Sequence, residues 1–127
     1  MLKEGLVYRM KFRVRDEDTA KFLGSGDVEV LSTPSMIAMM ENTARTLAQK
    51  HLPPEKTTVG FEVCIRHLKP APKGAEIEIE AKLLKIESKR KLTFEVNAYW
   101  KNTLIGTGTH VRYIVDREKF LEKAKSQ

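Results

Sequence analysis

The sequence predicts an α+β fold in which one long helix packs against a curved antiparallel sheet. A single broad apolar stripe at helical spacing runs from Met36 to Ala48. Four later segments, and one before it, alternate apolar and polar residues with a period of two. A helix with a wide apolar face and a meander with one apolar face must both hide those faces, and each can hide the other's.

The elements follow in order. Tyr8, Met10, Phe12 and Val14 alternate with Val7, Arg9, Lys11 and Arg13, which reads as a strand. Asp16 to Gly26 is polar and glycine-containing, a loop with a short turn around Thr19 to Leu23. Asp27 to Leu31 has the composition of a short strand. Ser32 and Thr33 are both capable helix caps, and Pro34 stands where a first-turn proline costs no hydrogen bond. The helix they open carries Met36, Met39, Met40, Thr43, Ala44, Leu47 and Ala48 on one face and ends before Pro53-Pro54. Beyond Thr58 lie the strands: Val59 to Leu68, Ala75 to Glu87, Leu92 to Trp100 and Thr103 to Val115, with turns at Ser88-Lys89-Arg90 and Lys101-Asn102. Gly106 and Gly108 share one face of the last strand, a sign of a bulge or of another backbone close by. Asp116 caps a short final helix with a lysine-rich end.

At 127 residues the chain has the length of one domain, expected to span 1–127. With 41% apolar and 31% charged residues it fits no collagen-like, low-complexity or disulfide-framework class. No apolar run approaches the ~18 residues of a membrane helix, and the first residues lack a signal-peptide core, so no membrane role is expected. One cysteine, Cys64, makes no internal disulfide, and a reducing cytoplasm is the expected compartment. The formal charge of +6 suits nucleic acid and a polyanionic small molecule equally. Aromatic residues are not interleaved among the bases as in RNA-binding strands, so no nucleic-acid partner is expected.

Three residues stand out for their chemistry. Glu41 sits on the shoulder of the apolar helix face, about 100° from its centre, between a buried base or nucleophile and an ordinary i,i+4 pair with Arg45. His67 ends a strand and shares by alternation a face with Val59, Phe61, Val63 and Ile65; its imidazole suits proton transfer near neutral pH. Thr33 begins the helix, where it is either a plain cap or part of a donor set for a carbonyl oxygen gaining charge. Cys64 lies on the opposite strand face from His67, against a Cys–His pair. His51 and His110 read as surface or structural. No Cys/His spacing suggests a metal, and no phosphate-binding glycine loop or G-x-S-x-G elbow occurs, so no metal or cofactor is expected.

One helix followed by a strand meander matches the hotdog fold. Val30-Leu31-Ser32-Thr33-Pro34 through Met39-Met40-Glu41, Gly60 through His67, and Ile105 through His110 together resemble the fluoroacetyl-CoA thioesterase-like branch of the hotdog thioesterases. The resemblance covers nearly the whole chain. It implies an acyl-CoA thioesterase with Thr33, Glu41 and His67 as the catalytic set and Gly60 near the substrate. It also implies a homodimer, or a dimer of dimers, with sheets joined edge to edge. The fluoroacetate-specific branch has an aromatic-rich segment ahead of the helix, whereas Gly24-Ser25-Gly26-Asp27-Val28 has none. A small or medium acyl group other than fluoroacetyl is therefore expected. The CoA phosphates call for a basic rim, for which Lys69, Lys73 and Arg90 are candidates. A hotdog hydratase or dehydratase would need an Asp near the helix start that is not seen. A non-catalytic acyl-thioester binder would need neither Glu41 nor His67.

Overall fold

A computed structural model describes all 127 residues. Strands β1 (Val7–Arg13), β2 (Lys56–His67), β3 (Glu76–Glu87), β4 (Lys91–Trp100) and β5 (Thr103–Asp116) form one antiparallel sheet in the order β1-β3-β4-β5-β2. Helix α1 (Ala20–Leu23) is a single turn after a 3-10 turn at Asp16–Asp18. Helix α2 (Thr33–Gln49) is the long one, and α3 (Arg117–Lys125) closes the chain.

Helix α2 starts where its caps dictate. Ser32 is the N-cap, its hydroxyl accepting from the Ser35 N–H at 3.1 Å, and Pro34 lies in the first turn. The apolar stripe of α2 meets the concave face of the sheet. Ile77, Ile79, Ala81 and Leu83 of β3 and Leu92, Phe94, Val96 and Ala98 of β4 are fully buried beneath it. Each buried Ile, Leu, Val or Phe there contributes on the order of 2 kcal/mol through the apolar area it removes from water. The closest approach is at Gly106, where a Cβ would stand 2.5 Å from Met36 Sδ. That glycine lets the methionines of α2 lie directly on the β5 backbone.

The sheet curves because three strands each carry one extra residue. The register shifts at Phe61 in β2, at Leu84 in β3 and at Ile105 in β5. Bulges of this kind bend a strand and increase its twist. The two tight hairpins hold positive φ at both central residues, 52° and 58° at Ser88-Lys89 and 50° and 62° at Lys101-Asn102. That geometry matches the twist of the strands it joins.

Two expectations are corrected. Asp27 to Leu31 forms no strand, only single bridges of Val30 to Pro72 and Leu31 to Thr19. Pro72 has no N–H to extend a ladder, so the pairing stops there. Second, Val59 and Phe61 do not share a face with His67. The Phe61 bulge reverses the alternation, so Ile65 and Val63 face α2 together with Gly60 and Thr58, and Val59 points the other way. His67 keeps its inward position, opposite Gly106.

Candidate active site

Thr33 and His67 meet at the start of α2. Thr33 Oγ1 and His67 Nδ1 are 2.7 Å apart, linking the first residue of the helix to the last of β2. The pair borders a shallow pocket of about 260 Å³, whose wall includes Leu31, Leu68 and Lys69. His67 Nε2 is buried without a hydrogen-bond partner in the chain. Burial holds the His67 imidazole below its ordinary pKa, so the ring is neutral at pH 7.

Glu41 belongs to a second cluster, two turns further along α2. Its carboxylate lies against Gly60, where a Cβ would stand 2.9 Å from Oε2. Only the bulge brings Gly60, and not Phe61, to this place; any side chain here would press on the carboxylate. The i,i+4 pair with Arg45 does not form. Arg45 donates instead to Asn42 Oδ1 at 3.1 Å. The cation facing Glu41 comes from β5, with Arg112 Nη1 4.0 Å from Oε2.

Arg112 and His110 are the residues sequence reasoning missed. His110 is 1% exposed and Arg112 6%, so His110 is not a surface residue. Arg112 donates from Nε to Thr58 Oγ1 at 2.8 Å and from Nη2 to the Thr58 carbonyl at 2.9 Å. His110 Nδ1 donates to the Glu62 carbonyl at 2.8 Å, which leaves Nε2 to accept from Arg112 Nη1 at 3.1 Å. Burial, with Arg112 adding to it, keeps His110 neutral, as that acceptor role requires. The signal was in the sequence. Gly106 and Gly108 mark the helix-facing side of β5, and counting on by twos reaches His110 and Arg112.

The two depressed histidines give stability a direction with pH. Unfolded, each takes up a proton near pH 6.5; folded, each resists it. Below that pH the unfolded chain binds more protons, so stability is full above pH 6.5 and falls on acidification. The melting temperature should drop between about pH 7 and pH 5, above the range where carboxylates titrate. A flat profile over that window would show that neither imidazole is held neutral.

The basic candidates are dispersed. Lys69 lines the Thr33–His67 pocket. Lys73 Nζ pairs with Asp16 and Glu29 at 3.7 and 3.5 Å. Arg90 lies over the Tyr113 ring, beside a cleft that it shares with Lys119 and Lys123 of α3. No group of His, Cys, Asp or Glu side chains is arranged to hold a metal. No helix is long and apolar enough to cross a membrane.

Known proteins resemble this one along nearly its full length. The profile of a family described as fluoroacetyl-CoA-specific thioesterase matches residues 14–118. The fluoroacetyl-CoA thioesterase of Streptantibioticus cattleyicolor is 30% identical over 99 residues, covering 78% of this chain and 70% of that protein. A solved fluoroacetyl-CoA thioesterase structure superposes with a TM-score of 0.91 at 26% identity, covering 100% of this chain and 98% of the other. A mutant of such an enzyme in complex with fluoroacetate and CoA gives 0.87 at 27%, over 94% and 99%. A thioesterase superfamily member from Thermus thermophilus gives 0.88 at 27%, over 98% and 91%.

Proposed function

Since this chain belongs to the fluoroacetyl-CoA-specific thioesterase family, and is with it a hotdog-fold acyl-CoA thioesterase, we propose that it hydrolyses small or medium acyl-CoA esters in the cytoplasm. The observation that carries the catalytic reading is the Thr33–His67 hydrogen bond at the open end of α2. Thr33, Glu41 and His67 are the catalytic set, and Gly60 is the substrate-side residue that gives the carboxylate room.

The chemistry follows from these groups. The thioester carbonyl lies over the start of α2, where the Thr33 hydroxyl and the helix N–H dipoles steady the oxygen as it gains charge. Glu41 supplies the attacking oxygen, by deprotonating water or by attacking the carbonyl carbon itself to form an anhydride that water then opens. The carbon–sulfur bond breaks, and the CoA thiolate takes up a proton managed through His67. One turnover in ¹⁸O-water that leaves label in Glu41 identifies the anhydride route, with water opening the anhydride at the Glu41 carbonyl.

Thr33 and Glu41 are eight residues apart on α2, ~12 Å along its axis. One carbonyl cannot touch both within a single chain. A homodimer, alone or paired again, is therefore part of the proposal, with Thr33 and His67 of one protomer completing a site with the partner's Glu41. The free edge of β2 supports this, because Phe61 and Val63 on it are 67% and 40% exposed. Substrate phosphates meet a rim drawn from Lys69, Lys73 and Arg90; Lys69 stands nearest the Thr33–His67 pocket, and Lys119 and Lys123 reinforce Arg90.

Free-thiol release from a panel of acyl-CoAs tests the reading. Turnover should favour short or medium chains over fluoroacetyl-CoA and sediment with a dimer or tetramer. Turnover by a stable monomer would overturn the shared site, and no thiol release from any member would overturn the substrate class.

A further inference from the structure

We propose that Arg112 is a positioning residue for the thioesterase reaction, aiming and charge-balancing the Glu41 carboxylate from within a buried network anchored at the β2 bulge. The inference rests on the role proposed for Glu41.

The network runs in one direction from the bulge. The extra residue at Phe61 leaves the Glu62 carbonyl facing inward, where it accepts from His110 Nδ1. That bond fixes the His110 tautomer, so Nε2 can only accept, and it accepts from Arg112 Nη1. Thr58 holds the other edge of the guanidinium through its hydroxyl and its carbonyl. Three contacts thus lock a 6%-exposed arginine whose anionic neighbour across the gap is Glu41. A buried guanidinium is costly to keep unless it is bonded and faces an anion.

The arrangement is asymmetric in a way that fits positioning rather than simple pairing. At 4.0 Å the Arg112–Glu41 contact is too long for a hydrogen bond. The carboxylate is steered but not clamped, so its oxygens stay free for water or substrate. Gly60 completes the seat by offering no side chain to displace it. Arg112 and His110 from β5 both feel the Glu41 charge, and Arg45 from the helix of Glu41 lies close enough to act on Arg112. Since His110 is neutral and Arg45 points to Asn42, Arg112 is the cation that sets the field at the carboxylate.

The test is kinetic and spectroscopic. Arg112→Met should lower kcat about tenfold or more with KM changed less than about threefold. Arg112→Lys keeps the charge without the fork, and should recover only part of kcat, with KM again changed less than about threefold. The Arg112 guanidinium ¹⁵N resonances of the unsubstituted protein should shift in Glu41→Gln, because the anion they face is removed. That measurement needs no arginine variant to fold. A folded Arg112→Met with kcat within twofold overturns the proposal, as do resonances that do not move in Glu41→Gln. If Glu41→Gln itself retained turnover while the resonances still tracked Glu41, the catalytic role of Glu41 would fail and the contact would stand.

Discussion

Glu41→Gln should reduce kcat by on the order of a hundredfold or more while the protein stays folded and still binds acyl-CoA. The substitution keeps the shape that fits against Gly60 and removes the charge. An amide neither deprotonates water nor attacks a thioester, so both chemical routes are closed at once. Stability should fall only modestly, because Arg112 loses the anion it faces but keeps its three hydrogen bonds. The carboxylate makes no hydrogen bond to Arg45, and its contact with Arg112 is long. Acyl-CoA affinity measured on the inactive variant separates chemistry from binding. Turnover near the unsubstituted rate would return Glu41 to a purely structural role beside Arg112.

His67→Ala is the second large effect, also on the order of a hundredfold in kcat. It removes the partner of the Thr33 hydroxyl and the neutral imidazole proposed to handle the thiolate's proton. A structural histidine at a strand end would behave differently, lowering the melting temperature and leaving kcat per folded molecule intact. The loss should also shrink for substrates whose leaving thiol is more acidic, because such a thiol leaves without proton assistance. An equal loss across a series of thiol acidities would place the role of His67 elsewhere than at the leaving group.

Much of this arrangement was readable before any coordinates. Helix α2 was legible because caps, proline and a long apolar period agree with one another. The hairpins at Ser88-Lys89 and Lys101-Asn102 were legible from short polar breaks between alternating runs. Glu41 and His67 stood out as polar groups beside or among apolar positions, and Thr33 as the polar residue at the helix start.

The parity of β2 was not legible. Val59, Phe61, Val63 and Ile65 alternate so cleanly that no local feature announces an extra residue. The bulge is decided by tertiary fit, since the strand must present Gly60 and not a side chain to Glu41. Arg112 escaped notice for a related reason. A lone arginine near the end of a terminal strand reads as surface until its partners on β2 and α2 are known. The segment Asp27 to Leu31 misled because its composition is strand-like, while the feature that stops it, Pro72, lies more than forty residues away.

The packing of Met36 onto Gly106 has a consequence for oxidative chemistry. Met36 is fully shielded and Met40 nearly so, whereas Met1 is 99% exposed. A sulfoxide oxygen has no room between α2 and the β5 backbone, so peroxide can reach Met36 only while the helix is lifted from the sheet. Met1 reacts at the rate of a free thioether and Met36 at that rate scaled by the fraction of time the helix stands open. The chain thus carries a clock for its own breathing and an internal standard for it. Because a Met36 oxidised during such an opening cannot repack, each tick would also remove one Thr33–His67 pair from service.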